Sequence, residues 1–199
     1  MNLPKTKPQD ALSVIDAIYK RRAVRSYKAE NVDPDALRML LAAAVQAPTA
    51  MHEEPWVFTV IQDQKLLRRL SDDAKKAARA ELKGIPAAHA RHAEEMLADP
   101  DFNIFYNAGT LVVIWAKPMG AFVEADCWLA AENLMLAACG MGYGSCVIGF
   151  ALGALKTPEW KERLGVHEKM TPVAPLILGV PDQLPLAVAR KPPEILSWQ

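Results

Sequence analysis

Apolar residues along this chain recur at two spacings, and each change of spacing marks a new element. In "DALSVIDAIYKRR" (10–22), Leu12, Ile15 and Tyr19 fall on one face of a predicted helix whose end is basic, as the helix macrodipole favours. The clearest helical period lies in "DPDALRMLLAAAVQAP" (33–48). There Asp33 caps, Pro34 takes the first turn, Leu37, Leu40, Leu41, Ala44 and Val45 form the stripe, and Pro48 follows the end. Short continuous apolar runs predict strands at "WVFTVI" (56–61), "TLVVIWA" (110–116), "SCVIGF" (145–150) and "VAPLILGV" (173–180).

Residues 63–98 read as two polar, Ala/Lys/Arg-rich helices separated near Gly84-Ile85-Pro86. Residues 122–139 form a helix that is apolar nearly all round, a pattern that means burial on every side or in an interface. Thr157-Pro158-Glu159 opens a short helix, and the Pro-rich tail from 181 is a poor core builder that is expected to lie extended over something else. Few strands among longer helices give a layered α/β or α+β domain. No repeat, low-complexity tract or internal linker interrupts it.

At 199 residues the chain is long enough for one domain with a substantial core. The 23 basic residues are balanced by 23 acidic ones, which argues against general nucleic-acid binding. No apolar stretch follows a basic start, so no secretory signal is expected. The most apolar helix carries Glu132 and Asn133 and is too short to span a bilayer. Cys127, Cys139 and Cys146 have no zinc or disulfide spacing and read as buried thiols in a reducing cytoplasm.

Four clusters carry candidate chemistry. "KRRAVRSY" gathers Lys20, Arg21, Arg22 and Arg25; it reads either as a solvated helix end or as an anion site, which Arg190 and Lys191 of the tail could complete. "GMGYGSCVIG" (140–149) lies after a helix and before a strand, the reverse of a dinucleotide-binding loop. Gly140 there reads as a helix C-cap, and the other glycines as backbone that a flat ligand can approach closely. His89 and His92 have i,i+3 spacing without a convincing third ligand, so no metal site is expected. "APTAMHEEPW" (47–56) places His52, Glu53 and Glu54 in a turn that leads into a strand. No nucleophile motif is present, so enzymatic reactivity would belong to a cofactor.

"RRAVRSY", "APTAMHEEPWVF", "DCWLAAENLMLAACGMGYGSCVIGF" and "RKPPE", in that order across nearly the whole chain, resemble the nitroreductase-like flavoproteins. The resemblance implies a single domain over 1–199 with an α+β, three-layer fold, a central mixed sheet flanked by helices, and an intertwined homodimer. Residues 63–105 would be a variable helical excursion near the substrate site, and 181–199 an extended tail. It implies flavin mononucleotide (FMN) at the dimer interface. NADH or NADPH reduces the flavin, nicotinamide leaves, and a small-molecule acceptor such as a nitroaromatic or quinone takes its place.

Residue by residue, the resemblance assigns Arg21, Arg22 and Arg25 to the flavin phosphate and ribityl oxygens, joined from the tail by Arg190 and Lys191. Ala23 stands where the family often has serine. Pro48, Thr49 and Ala50 match the segment beside the ring from the partner subunit. His52 replaces the usual asparagine and Glu54 the usual glutamine, at or just behind the pyrimidine edge of the ring. Cys146, Val147, Ile148 and Gly149 match the strand over the ring, where the backbone N–H of Ile148 or Gly149 reaches N5; Cys146 itself reads as a small space-filler. A second reading, a flavin-binding or regulatory relative with little turnover, follows from the two altered amides.

Overall fold

A computed structural model of the chain describes residues 12–82, 84 and 86–199. Four strands form one sheet in the order β1-β2-β4-β3: β1 Trp56–Ile61, β2 Thr110–Ala116, β3 Gly144–Val147 and β4 Thr171–Gly179. All three ladders are antiparallel, so the expected mixed character is confined to one isolated parallel bridge, Ala23 with Ser145.

The sheet is covered on both faces, which is why its strands read as unbroken apolar runs. Val112, Ile114 and Ala116 of β2 face α2 (Pro34–Ala44) and α5 (Val123–Gly140), in a core that includes Leu40, Ala131 and Leu134. The alternate residues Leu111, Val113 and Trp115 face the opposite layer. That layer holds α3 (Gln64–Leu82), α4 (Ala87–Ala98), α6 (Leu152–Leu155) and α7 (Pro158–Arg163). The result is the expected three-layer α+β arrangement.

Helix starts follow the sequence closely. Asp33 accepts the N–H groups of Asp35 and Ala36, and Pro34 fills the first turn of α2. Thr157 caps α7 in the same way. Three features differ from expectation. Helix α1 (Val14–Lys20) starts at the Ser13 cap, with Asp10 of the predicted span outside the described residues. Its predicted apolar face is uncovered, with Ile15 63% and Tyr19 75% exposed. Helix α5 runs through Gly140 and stops at Gly142 (φ 82°). Tyr143 N–H donates to Ala138 O there and Gly142 N–H to Cys139 O, so Gly142, not Gly140, is the left-handed residue closing the helix. Strand β3 ends at Val147 instead of running to Phe150. Its next ladder partner on β4 would be Pro175, which has no N–H to return, and residues 149–151 curl into a 3₁₀ turn.

Candidate active site

The basic segment after α1 is stitched to β3. Val24 N–H donates to Ser145 O (3.0 Å), beside the Ala23–Ser145 bridge. Gly144 permits this approach, because a Cβ there would stand 2.8 Å from the Val24 side chain. Arg21, Arg22, Ala23 and Arg25 are thereby set beside Cys146, Val147, Ile148 and Gly149. Arg25, Ile104, Tyr106, Val147, Ile148, Gly149 and Phe150 line a cavity of about 240 Å³.

Within this group the roles divide. Arg22 donates to Tyr19 O (2.7 Å) and Arg21 O (2.8 Å), so its guanidinium caps the end of α1 as the plain helix-end reading had it. Arg21 lies 3.8 Å from Glu132 of α5. The Arg25 guanidinium stands over the Tyr106 ring, 5.8 Å from its centroid. Burial raises the Tyr106 phenol, and the Arg25 charge opposes that rise. Cys146 is buried; burial raises its thiol, with Arg25 and Arg21 working the other way, which suits a neutral space-filler. Ile148 N–H is already committed to Pro175 O (2.8 Å). No hydrogen bond from Gly149 N–H is found among the described residues, and the space where its Cβ would be is open for 4 Å.

The second group sits elsewhere. Pro48, Thr49, Ala50, His52 and Glu54 form the turn before β1, with His52 and Glu54 exposed. Met51, His52 and Glu54 all have left-handed backbone (φ 55°, 57° and 45°), a conformation costing roughly 1–3 kcal/mol per non-glycine residue unless the surroundings impose it. Three contacts impose it. Ala50 N–H donates to the buried Asp126 carboxylate (3.2 Å), Lys117 donates to Glu54 O (3.2 Å), and Glu53 packs over Gly120, where a Cβ would collide with its carboxylate.

These two groups lie at opposite ends of α5. The turn is tied to Asp126 in the first helical turn; the arginines neighbour Cys139 near the last, where Arg21, Lys20 and Arg22 act on its thiol. The helical rise from Asp126 to Cys139 is about 20 Å. Within one chain the turn and the helix-end arginines are thus held at opposite ends of α5. Arg190 and Lys191 lie on the exposed tail, without a hydrogen bond or ion pair among the described residues.

Sequence reasoning missed Tyr106, Ile104, Phe150 and Asp126. The Tyr106-Asn107 pair, left-handed at φ 51° and 56°, had a faint signal in the turn-forming "NAG" that follows the tyrosine. Among the described residues no His, Cys, Asp and Glu group could hold a metal; the His89 side chain lies outside them. A larger groove of about 670 Å³ beside α3 is lined by charges that pair with each other, as Arg69 does with Glu159 (2.9 Å), and offers no comparable chemistry.

The sequence profile of the Nitroreductase family matches residues 18–180, and the chain belongs to that family. A crystal structure of a nitroreductase from Bacteroides fragilis with bound FMN superposes with a TM-score of 0.77, at 28% identity over 94% of this chain and 98% of that one. An Archaeoglobus fulgidus protein provisionally named NADH dehydrogenase/NAD(P)H nitroreductase is 29% identical, covering 82% of this chain and 83% of its own. Iodotyrosine deiodinase of Thermotoga neapolitana is 27% identical over 65% of this chain and 70% of its own. The expected class, a nitroreductase-type FMN-dependent oxidoreductase, is borne out by this set. Among the described residues no helix is long and apolar enough to cross a membrane.

Proposed function

We propose that the chain is an FMN-dependent NAD(P)H oxidoreductase that reduces nitroaromatics, quinones or related electrophiles by ping-pong turnover, as a homodimer whose two sites each draw on both chains. The observation that carries this reading is the cavity at the end of β3. It joins an open glycine, an uncommitted backbone N–H and a guanidinium on one wall. At about 240 Å³ it falls below the roughly 300–1,000 Å³ of a complete ligand pocket, which supports a second surface finishing it.

The donors present fit FMN. Arg21 and Arg25 supply cationic forks for phosphate and ribityl oxygens, Arg22 adds the N–H groups its helix-end bonds leave over, and Arg190 and Lys191 join from a tail. Gly149 N–H is the donor left for N5, since Ile148 is committed. Pro48, Thr49, Ala50, His52 and Glu54 of the second chain close the pyrimidine side. Bound FMN supplies the two-electron transfer between nicotinamide and acceptor. The protein's own part is to hold the ring flat, donate at N5, set charge at the pyrimidine edge and leave one face open.

The second chain is supported by uncovered apolar surface. Val14, Ile15, Ile18 and Tyr19 of α1 and Trp128 and Leu129 of α5 are exposed, as are Leu184, Leu186, Leu196 and Trp198 of the tail. Obligate interfaces resemble a domain core cut in half, and α1 packs against α5, so their exposed apolar residues adjoin. A reducing cytoplasm fits the three free cysteines.

The test is anaerobic. Purified protein should be yellow, release FMN and not FAD on denaturation, bleach with NADH or NADPH, and recover colour with an acceptor. The panel should include nitroaromatics, quinones and, given the deiodinase relative, halogenated phenols. Bleaching that no acceptor reverses would favour the low-turnover, flavin-binding reading.

A further inference from the structure

Helix α3 belongs to the excursion outside the motif-bearing segments, yet one of its faces grips the strand of chain that enters the cavity. Lys75 is 7% exposed, unusual for a lysine, and its ammonium donates to three backbone carbonyls: Asp99 (3.2 Å), Pro100 (3.3 Å) and Phe102 (2.9 Å). One turn earlier, the fully buried Ser71 hydroxyl accepts Ile104 N–H (3.1 Å). Arg68, one turn before that, donates to Pro100 O (2.9 Å). Positions 68, 71 and 75 share a helix face, so these side chains form one row of polar clamps along residues 99–104.

The clamped segment ends at the site. Ile104 and Phe105 are buried, and Tyr106 N–H closes a turn onto Asn103 O (2.8 Å). Asn103 also donates from its amide to Asn107 (3.0 Å), bracketing the left-handed pair Tyr106-Asn107. The Tyr106 ring is held edge-to-face by Phe102, centroids 5.6 Å apart, and carries the Arg25 guanidinium on its face. Both residues line the cavity.

We propose that Tyr106 is a positioning residue for Arg25, and that Lys75 and Ser71 of α3 position Tyr106 in turn, so that the helical excursion sets where the cofactor-facing cation stands. This rests on the flavin reading of the cavity. The ring offers the exposed Arg25 side chain an attractive, apolar seat that favours one position before any ligand arrives. A guanidinium so seated favours the negative charge of reduced flavin; a wandering one favours it less.

The experiment measures FMN affinity of the apoprotein by fluorescence quenching, and the midpoint potential of the holoprotein. Tyr106→Leu and Lys75→Met should each weaken FMN by about three- to tenfold and move the potential to more negative values. Lys75→Arg keeps a cationic donor and should read as wild type, while Tyr106→Phe keeps the ring but loses the phenol beside Arg25 and should fall between wild type and Tyr106→Leu. In an Arg25→Gln background neither Tyr106→Leu nor Lys75→Met should change either quantity further. Unchanged affinity and potential in Tyr106→Leu, or effects that simply add to Arg25→Gln, would overturn the proposal. A wild-type chain that binds no FMN would instead defeat the flavin reading beneath it.

Discussion

The backbone N–H of Ala50 donates to the buried carboxylate of Asp126, 3.2 Å from one oxygen and 3.3 Å from the other. That contact fastens the turn carrying His52 and Glu54 to the first turn of α5, far from the same chain's arginines. Asp126→Ala strands a partly buried N–H and releases a turn with three left-handed residues. It should cost about 1–3 kcal/mol of stability, and FMN affinity should fall with it. Asp126→Asn keeps an acceptor and should lose less of both. Thermal unfolding and FMN titration of the two variants check this; an Asp126→Ala protein with unchanged FMN affinity would show that the turn is not part of the flavin site.

Charge on the turn should register in the flavin potential. A cationic His52 at the pyrimidine edge stabilises the reduced ring, and an ionised Glu54 destabilises it. His52→Asn takes a basic side chain from that edge and should therefore lower the midpoint potential. Glu54→Gln should raise the potential by on the order of 30 mV, the equivalent of about 1.4 kcal/mol in a two-electron couple. Three superimposable potentiometric curves would mean that the turn is a solvated loop with no electrical access to the ring.

Gly149 separates ligand space from folding space. Its Cβ position meets nothing within 4 Å, so Gly149→Val should leave the unfolding temperature of the apoprotein close to wild type. In the proposed site the same valine would stand where the ring approaches and should weaken FMN by tenfold or more, an order-of-magnitude expectation from steric overlap in a packed site. Equal FMN affinity in wild type and variant would place the ring somewhere else.

Alkaline pH should destabilise the fold through Cys127. Burial, with smaller contributions from Asp126 and Glu124, pushes this thiol up to about 12. The folded chain thus holds the proton more tightly than the unfolded chain. Its contribution is fully present below the unfolded thiol value of about 8.5 and is lost as pH rises toward 12. Up to about 1.4 kcal/mol per pH unit is at stake for one such group. Urea unfolding at pH 8 and pH 10 should show a steeper loss for wild type than for Cys127→Ala. Equal slopes would assign the alkaline loss to other groups, the partly buried Tyr27 phenol, raised chiefly by desolvation, among them.

Strands β1 and β2 were legible because a sheet covered on both faces needs unbroken apolar runs, and "WVFTVI" and "TLVVIWA" match their observed ends residue for residue. Helix α2 was legible because its stop and start signals, Asp33, Pro34 and Pro48, are local. The end of β3 was not, because it is decided by the missing N–H of Pro175 on another strand. Nor was the end of α5, where two nearby glycines compete and only Gly142 adopts the left-handed turn.

In the site, the motif residues were legible as two sets, the turn assigned by resemblance to a partner subunit, but what holds the turn in place was not. The turn depends on Asp126 gripping Ala50, a contact between residues 76 positions apart. Tyr106 escaped notice because its role comes from a left-handed turn and from a lysine on a helix that reads, in sequence, only as polar and Ala/Lys/Arg-rich.

A composite site has a direct test by complementation of two defective chains. Gly149→Val is designed to block the cavity side, and Thr49→Trp the turn side that the proposal assigns to the other chain's cavity. Each variant alone should form FMN-free dimers. Co-expressed with different tags and purified through both, the mixed dimer contains one doubly blocked site and one intact site. The measurement is flavin content of that mixed dimer by absorbance after denaturation. The composite site predicts about one FMN per two chains; a mixed dimer as empty as either parent would contradict it, because each site would then be built from a single chain.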